Sequence, residues 1–438
     1  MMKKFIAFIT CLILLFRLQA QAPKDSLPGL ATLEECISYA LAHQPLIAEA
    51  QLDEQVTALN IRSRLADWYP QIGGNYNIQH NFQRQTSFFN GNATPVGSYN
   101  TSLGQLYLNQ VIFNRDVLLA RRTKTDVQLQ SMQITTSRKI EVTTNVSKAF
   151  FDILTTQEQI HVADENIVRL QKSLDDAFYR YKAGVTDKTD YKRAQIALNN
   201  TTAAKQINQS ALVAKTENLK NFMGYPVDAK LRIVYDSLRM EREVNFDTLQ
   251  APDMSRRIEY QQLVTQKRLQ EANLLYQRHS YLPTVSANAA YNLNFQDNNF
   301  GKLYNANYPN SYLGLTAGIP IFQGGKRKIN IHTAQLLVNR VDLDIRNLES
   351  EVNSQYASAL ASYKGNLANY RASKENVDLA REVYEIIQLQ YRAGVKTYLE
   401  VITSETDLRT AQINYFNALY QVLAGKVDAE RALGLISY

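Results

Sequence analysis

Hydrophobic positions along this chain of 438 residues recur with two different spacings. In one tract, apolar or small residues stand at Ile153, Ile160, Ala163, Ile167, Leu170, Leu174, Ala177 and Tyr181, sevens divided into threes and fours, which is the seam of a coiled coil. The seam returns at Val377, Ala380, Tyr384, Ile387 and Tyr391, each 210 residues after a member of the first. Proline is missing from Val96 to Tyr225 and from Ile321 to Tyr438, so both tracts are open to very long helices. At 1.5 Å per residue, a helix from Asn114 to Gly184 would run about 100 Å, far beyond one globular core.

Elsewhere the period falls to two. Ile72, Gly74, Tyr76, Ile78, His80 and Phe82 alternate with Gln71, Gly73, Asn75, Asn77, Gln79 and Asn81, and Val285 to Phe295 alternates in the same way with Ser286, Asn288, Asn292 and Asn294. These are strands with one apolar and one amide-rich face. The partner strands read SLGQLYLNQVIF, with Leu106, Leu108 and Ile112 in phase, and SYLGLTAGIPIF, with Leu313, Leu315, Ala317, Ile319 and Ile321 in phase. A soluble sandwich explains one such hairpin equally well. Four strands do not close a domain, however, and apolar outside, amides inside and aromatics near the ends fit a transmembrane barrel shared between chains. Trp68, Tyr69 and Tyr281 stand where an aromatic girdle would lie.

The order of these parts is itself repeated. WYPQIGGNYNIQHNFQ at Trp68 matches YLPTVSANAAYNLNFQ at Tyr281, and YRYKAGVTDK at Tyr179 matches LQYRAGVKTY at Leu389. We therefore read a tandem internal duplication. Residues 21–254 form the first repeat: a helix, a β-hairpin near 71–113, a long helix 114–184, a return helix 186–224 and a linker 225–254. The second, 255–438, has a helix, a β-hairpin near 284–322, a long helix 325–394 and a return helix 396–434. In each, an AGV turn reverses the long helix, with glycine supplying the positive φ.

Composition narrows the setting. Residues 1–20 read as a secretory signal peptide, with Lys3 and Lys4, an apolar run from Phe5 to Phe16 and small residues near Ala20. Thr10 before Cys11 does not suit a lipid-modified cysteine, and Cys36 then has no disulfide partner, so packing alone holds the fold and the thiol is expected to be buried and inert. Removing the leader's three cations lowers the net charge from +7 to +4, with no long basic block, so nucleic acid is not implied. The five histidines are scattered without metal-ligand spacing, and GGKRK at Gly324 lacks the spacing of a phosphate loop. No enzyme, metal or cofactor is implied. Lys326, Arg327 and Lys328 read either as the start of the long helix at a membrane edge, reaching lipid phosphates, or as ordinary solvated basic residues, as do Arg121, Arg122 and Lys124.

Taken together, the paired turns YKAGVTDKTDYKRAQ and YRAGVKTYLEVITSE, the strand starts WYPQI and YLPTV and the strand ends before FN and FQGGKRK resemble the TolC-type outer membrane efflux channels of Gram-negative bacteria, over nearly the whole mature chain. The resemblance implies a mixed α and β membrane protein. It would be a homotrimer whose twelve-stranded outer-membrane barrel, four strands per chain, continues as a long periplasmic α-helical coiled-coil barrel. It also implies a passive duct, fed through a periplasmic adaptor protein by an inner-membrane pump of RND, ABC or MFS type. On this reading Ala183, Gly184, Val185, Ala393, Gly394 and Val395 are adaptor-docking turns, and two plain helix caps explain their geometry as well. Asp190 and Glu400, six residues after each turn glycine, would ring the periplasmic entrance, with Lys188 and Lys396 pairing with neighbouring acids. Converging acids would raise one another's proton affinity. The acids are explained equally by a helix macrodipole. A secreted structural coiled-coil protein or adhesin is the alternative function, and it does not predict the strands.

Overall fold

A computed structural model describes residues 29–233 and 237–438; the expected signal peptide lies outside them. In chain order the helices and strands are α1 (Leu33–His43), α2 (Pro45–Ala66), β1 (Gln71–His80), β2 (Gln85–Phe89), β3 (Asn92–Val96), β4 (Asn100–Phe113), α3 (Arg115–Lys182), α4 (Lys188–Met223), α5 (Ser237–Glu243), α6 (Ile258–Arg278), β5 (Thr284–Asp297), β6 (Asn310–Gly318), α7 (Lys326–Arg392) and α8 (Tyr398–Leu433). The proline-free tracts thus hold helices of 68 and 67 residues, each followed by one of 36. No helix among the described residues is long and apolar enough to cross a membrane.

The chain divides into two compact units. One comprises Gln51–Ile134 and Tyr260–Asn347 and contains every strand among the described residues; the other comprises the chain up to Ala50, Thr135–Glu259 and Leu348–Tyr438. Both long helices belong to each, so the units cut across the two halves read from sequence.

In the strand-bearing unit the main sheet is antiparallel in the order β1-β4-β5-β6. Register puts the apolar positions in common rows: Ile72, Leu108, Ala289 and Leu313 in one, Gly74, Leu106 and Tyr291 in the next, Tyr76, Gly104 and Leu293 in a third. The alternate rows hold Gln71, Asn109 and Asn288, then Gly73, Tyr107, Ala290 and Tyr312, then Asn75, Gln105, Asn292 and Asn310. A side-chain period of two therefore sorts the four strands of this sheet onto the same two faces.

Three details depart from the sequence reading. The alternation through Ile112 is broken by a register shift between Val111 and Phe113, a bulge that leaves one extra residue in β4. β6 stops at Gly318, short of Ile319 and Ile321, because Pro320 has no N–H for the ladder. The loop after β1 carries its own hairpin, β2 with β3, turning at Asn90 and Gly91, both at positive φ.

The helical unit is held by one large apolar cluster, with Cys36, Ile47, Val146, Phe150, Leu219, Met223, Leu419 and Val422 among its buried members. Cys36 is fully buried, and burial pushes its thiol up to about 12. Two polar clamps finish the helix ends. Gln44 donates through Nε2 to the carbonyls of Asn221 and Phe222 at the end of α4, while Arg257 donates to those of Arg431 and Ala432 at the end of α8. These satisfy carbonyls that a helix C-terminus leaves open. Between the halves, α5 is pinned through Glu241, which accepts from Lys374 Nζ at 2.7 Å and from the Tyr415 hydroxyl.

Candidate functional site

Each AGV turn is a complete Schellman cap. Gly184 (φ 73°) donates its N–H to the Tyr181 carbonyl at 3.0 Å and Val185 donates to Arg180 at 2.9 Å, while Gly394 (φ 79°) donates to Tyr391 at 3.0 Å and Val395 to Gln390 at 2.9 Å. The paired bonds match the 5→2 and 6→1 pattern of that motif, with the glycine in the left-handed region. No atom lies within 4 Å of a Cβ placed on either glycine, and both valines are exposed, so the turns are open surface.

The two carboxylates sit at the same helix position and in different bonding. Glu400 and Thr397 form a capping box on α8: Thr397 N donates to Glu400 Oε2 at 2.8 Å, and Glu400 N donates to Thr397 Oγ1. Lys396 Nζ completes the group at 2.6 Å from Glu400 Oε1. This ammonium and the two Thr397 donors hold the Glu400 carboxyl at about 2, so within one chain its proton affinity is lowered, opposite to the expectation for crowded acids. On α4 the cap is Asp187, whose side chain accepts from Thr189 N, and no ion pair joins Lys188 to Asp190 among the described residues. Sequence spacing equates the two acids; the capping residue separates them.

Behind the turns lies a knot of aromatic rings whose spacing alone presents them as coiled-coil seam. Tyr398, Ala177 and Ala194 are buried together, with Tyr191 and Tyr391 against them. Ser173 Oγ donates to the Tyr398 hydroxyl at 3.0 Å, and the Arg180 guanidinium lies 4.6 Å from the Tyr391 ring centre. Burial pushes the Tyr398 hydroxyl up to about 12, and the nearby charges of Glu405 and Asp190 add to it. Farther along the bundle two carboxylates are buried. Burial raises Glu405 to about 7 against the lowering charges of Arg169 and Arg409, with Arg169 Nε 3.6 Å away. Burial likewise raises Glu158 to about 7. Neither has a sequence signal, since an acid in a heptad tract reads as a solvated face.

At the sheet, Tyr69 and Tyr281 are exposed and Trp68 is half-buried. Lys326 and Lys328 are exposed, but Arg327 is buried: it donates to Gln323 Oε1 and to the Pro320 carbonyl, and its guanidinium lies 4.9 Å from the Tyr281 ring centre. Its donors are engaged in closing the strand-to-helix turn, which corrects the reading of it as a lipid-phosphate ligand. On the apolar face Tyr76, one row from Leu106, shares a hydrogen bond of 2.7 Å with Tyr304 of the loop between β5 and β6, a contact that spacing does not reveal.

The apolar face of the sheet is thus widely exposed (Ile72 76%, Leu313 82%, Leu315 75%), a patch of the kind that marks contact with lipid or another protein. Among the described residues no group of acids, histidines and cysteines is placed to hold a metal ion.

The model of the family described as outer membrane efflux protein matches residues 36–225 and 256–435. Outer membrane protein TolC of Escherichia coli (strain K12) is 20% identical, the match covering 94% of this chain and 85% of that protein; the TolC of Salmonella enteritidis is 21% identical with the same coverage. Among solved structures, the outer membrane protein VceC of Vibrio cholerae superposes with a TM-score of 0.73 at 13% identity, covering 92% of this chain and 96% of that one. The CmeC outer membrane channel of Campylobacter jejuni gives 0.73 at 15% identity, covering 92% and 85%. At these identities the structural likeness concerns the fold.

Proposed function

The chain belongs to the outer membrane efflux protein family, and from that premise we propose that it is the exit duct of a tripartite efflux or secretion system. Three copies close their sheets into one twelve-stranded barrel in the outer membrane. The helical units continue it as a periplasmic coiled-coil barrel, and each chain derives from a tandem duplication. The duct is passive: an inner-membrane pump of RND, ABC or MFS type loads it through a periplasmic adaptor.

The observation that carries this reading is the four-stranded sheet with an exposed apolar face and two unpaired edges, β1 and β6. Lipid cannot satisfy the N–H and C=O groups of an open edge, so the edges must meet those of other copies. Chemical cross-linking of the full chain in alkaline-washed outer membranes is expected to stop at a trimer. A dominant monomer there would overturn the proposal, and release of the protein by the wash would favour the adhesin.

The AGV turns are the adaptor's docking points, their small exposed residues allowing close approach of another helical hairpin. Replacing Gly184 and Gly394 by leucine adds about 1–2 kcal/mol of backbone strain at each, the cost of an L-residue in the left-handed region. Export is expected to fall while the trimer stays inserted; disappearance of the trimer would mean that the turns serve only as caps.

Asp190 and Glu400 line the entrance as rings of three. Because Lys396 neutralises Glu400, its replacement by alanine is expected to raise cation preference and resting conductance in planar bilayers, while Asp190→Ala with Glu400→Ala lowers cation preference and divalent-ion block. Unchanged selectivity in both variants would remove these residues from the gate.

A further inference from the structure

Across the polar face of the sheet the amides are joined in one sense. Asn75 Nδ2 donates to Gln105 Oε1 at 3.3 Å, Gln105 Nε2 to Asn292 Oδ1 at 2.9 Å and Asn292 Nδ2 to Asn310 Oδ1 at 2.6 Å, a ladder running through all four strands. Nearby, Asn288 Nδ2 donates to Thr316 Oγ1 at 2.7 Å. Tyr107 lies flat on this face because Gly73, its cross-strand neighbour, has no side chain; a Cβ there would overlap the ring. The remaining positions of the face are Gln71, Asn77, Gln79, Asn109, Asn294 and Gln296, with Thr, Ser, Tyr, Leu, Ala, Val and Gly. The one histidine and one acid of the four strands, His80 and Asp297, share a row on the opposite face at the loop end.

We propose that this face is a charge-indifferent lining, so that the membrane-spanning part of the duct passes anionic and cationic solutes alike and any preference for one sign arises in the helical unit. The proposal rests on the reading that three such sheets enclose the lumen. Its physical basis is that a fixed charge in a narrow water-filled passage concentrates counter-ions, whereas an amide offers both a donor and an acceptor. Here the amides are tied to one another along the ladder, which holds them against the strands and leaves a polar, uncharged wall. Efflux cargoes of either charge then meet no electrostatic barrier in the low-dielectric setting of the bilayer, where one would be hardest to screen.

The test uses the full chain in outer membranes, where Cys36 is buried and silent to thiol reagents. Asn75→Cys and Thr316→Cys place a thiol on the polar face, the second outside the ladder in case the first disturbs folding. Each is treated with a methanethiosulfonate bearing either a trimethylammonium or a sulfonate group, and rates are normalised to those of 2-mercaptoethanol. Equal normalised rates are expected. Adding Gln105→Glu beside Asn75→Cys should favour the cationic reagent by roughly 4-fold or more, the Coulomb effect of a unit charge about 5 Å away in water. A preference of that size in either single-cysteine protein would overturn the charge-indifferent lining while leaving the lumen in place. No reaction with either reagent, in membranes that contain the trimer, would instead overturn the assignment of this face to the lumen.

Discussion

Leu106→Arg is expected to abolish outer-membrane insertion, while Asn75→Arg, one position along from Leu106's partner Gly74 and on the other face, is expected to insert as the parent does. Leu106 is 63% exposed in the middle of the apolar face, in register with Gly74 and Tyr291. A guanidinium at the bilayer midplane of a β-barrel costs about 2–4 kcal/mol, so three copies in a trimer lose roughly 6–12 kcal/mol. That is comparable to the whole stability of a typical domain. On the polar face the same side chain stays in water. Fractionation and protease protection of the two variants measure the difference directly. Equal insertion would mean that the exposed apolar face does not meet lipid, and a barrel would no longer follow from it.

Glu158→Gln with Glu405→Gln is expected to stabilise the protein above pH 7 and to leave it unchanged near pH 4.5. Both carboxyls are raised by burial from the ordinary glutamate value of 4.5 to about 7. Between those values the folded chain holds protons that the unfolded chain has released, so stability falls as pH rises through the window and the unfavourable contribution is complete above about 7. Each group contributes on the order of 3 kcal/mol, as an upper figure for a shift of that size. Arg169, 3.6 Å from Glu405, offsets part of it, and Glu165, also 3.6 Å from Arg169, keeps that guanidinium paired in the variant. The readout is the difference in melting temperature between variant and parent across pH 4.5 to 8. A difference that does not change with pH would show that neither carboxyl titrates in the folded bundle.

Features that depend on neighbours close along the chain are legible in residue spacing. A period of two in Gln71–His80 and sevens in Ile153–Tyr181 report which face of a strand or helix is apolar, and that property belongs to the local backbone. The AGV turns are equally plain, because only glycine enters the left-handed region without strain. Spacing misleads at the end of β6, where Ile319 and Ile321 continue the alternation although Pro320 ends the hydrogen bonding.

The two periodicities, the proline-free tracts, the paired glycine reversals and the order in which they recur are all properties of the linear chain, since each follows from spacing or from the φ preference of one residue type. Which residues meet across long separations is a property of the packed molecule. Strand register puts Asn75, Gln105, Asn292 and Asn310 in one ladder, and the strand-to-helix turn makes Arg327 a clasp instead of a surface cation. Helix packing buries Glu405 beside Arg169 from another helix, and capping makes Glu400 a capping-box acid neutralised by Lys396 while its sequence counterpart Asp190 is neither. Hydrogen bonding and desolvation depend on what surrounds an atom in space, and a chain with regular spacing leaves that open until its segments pack.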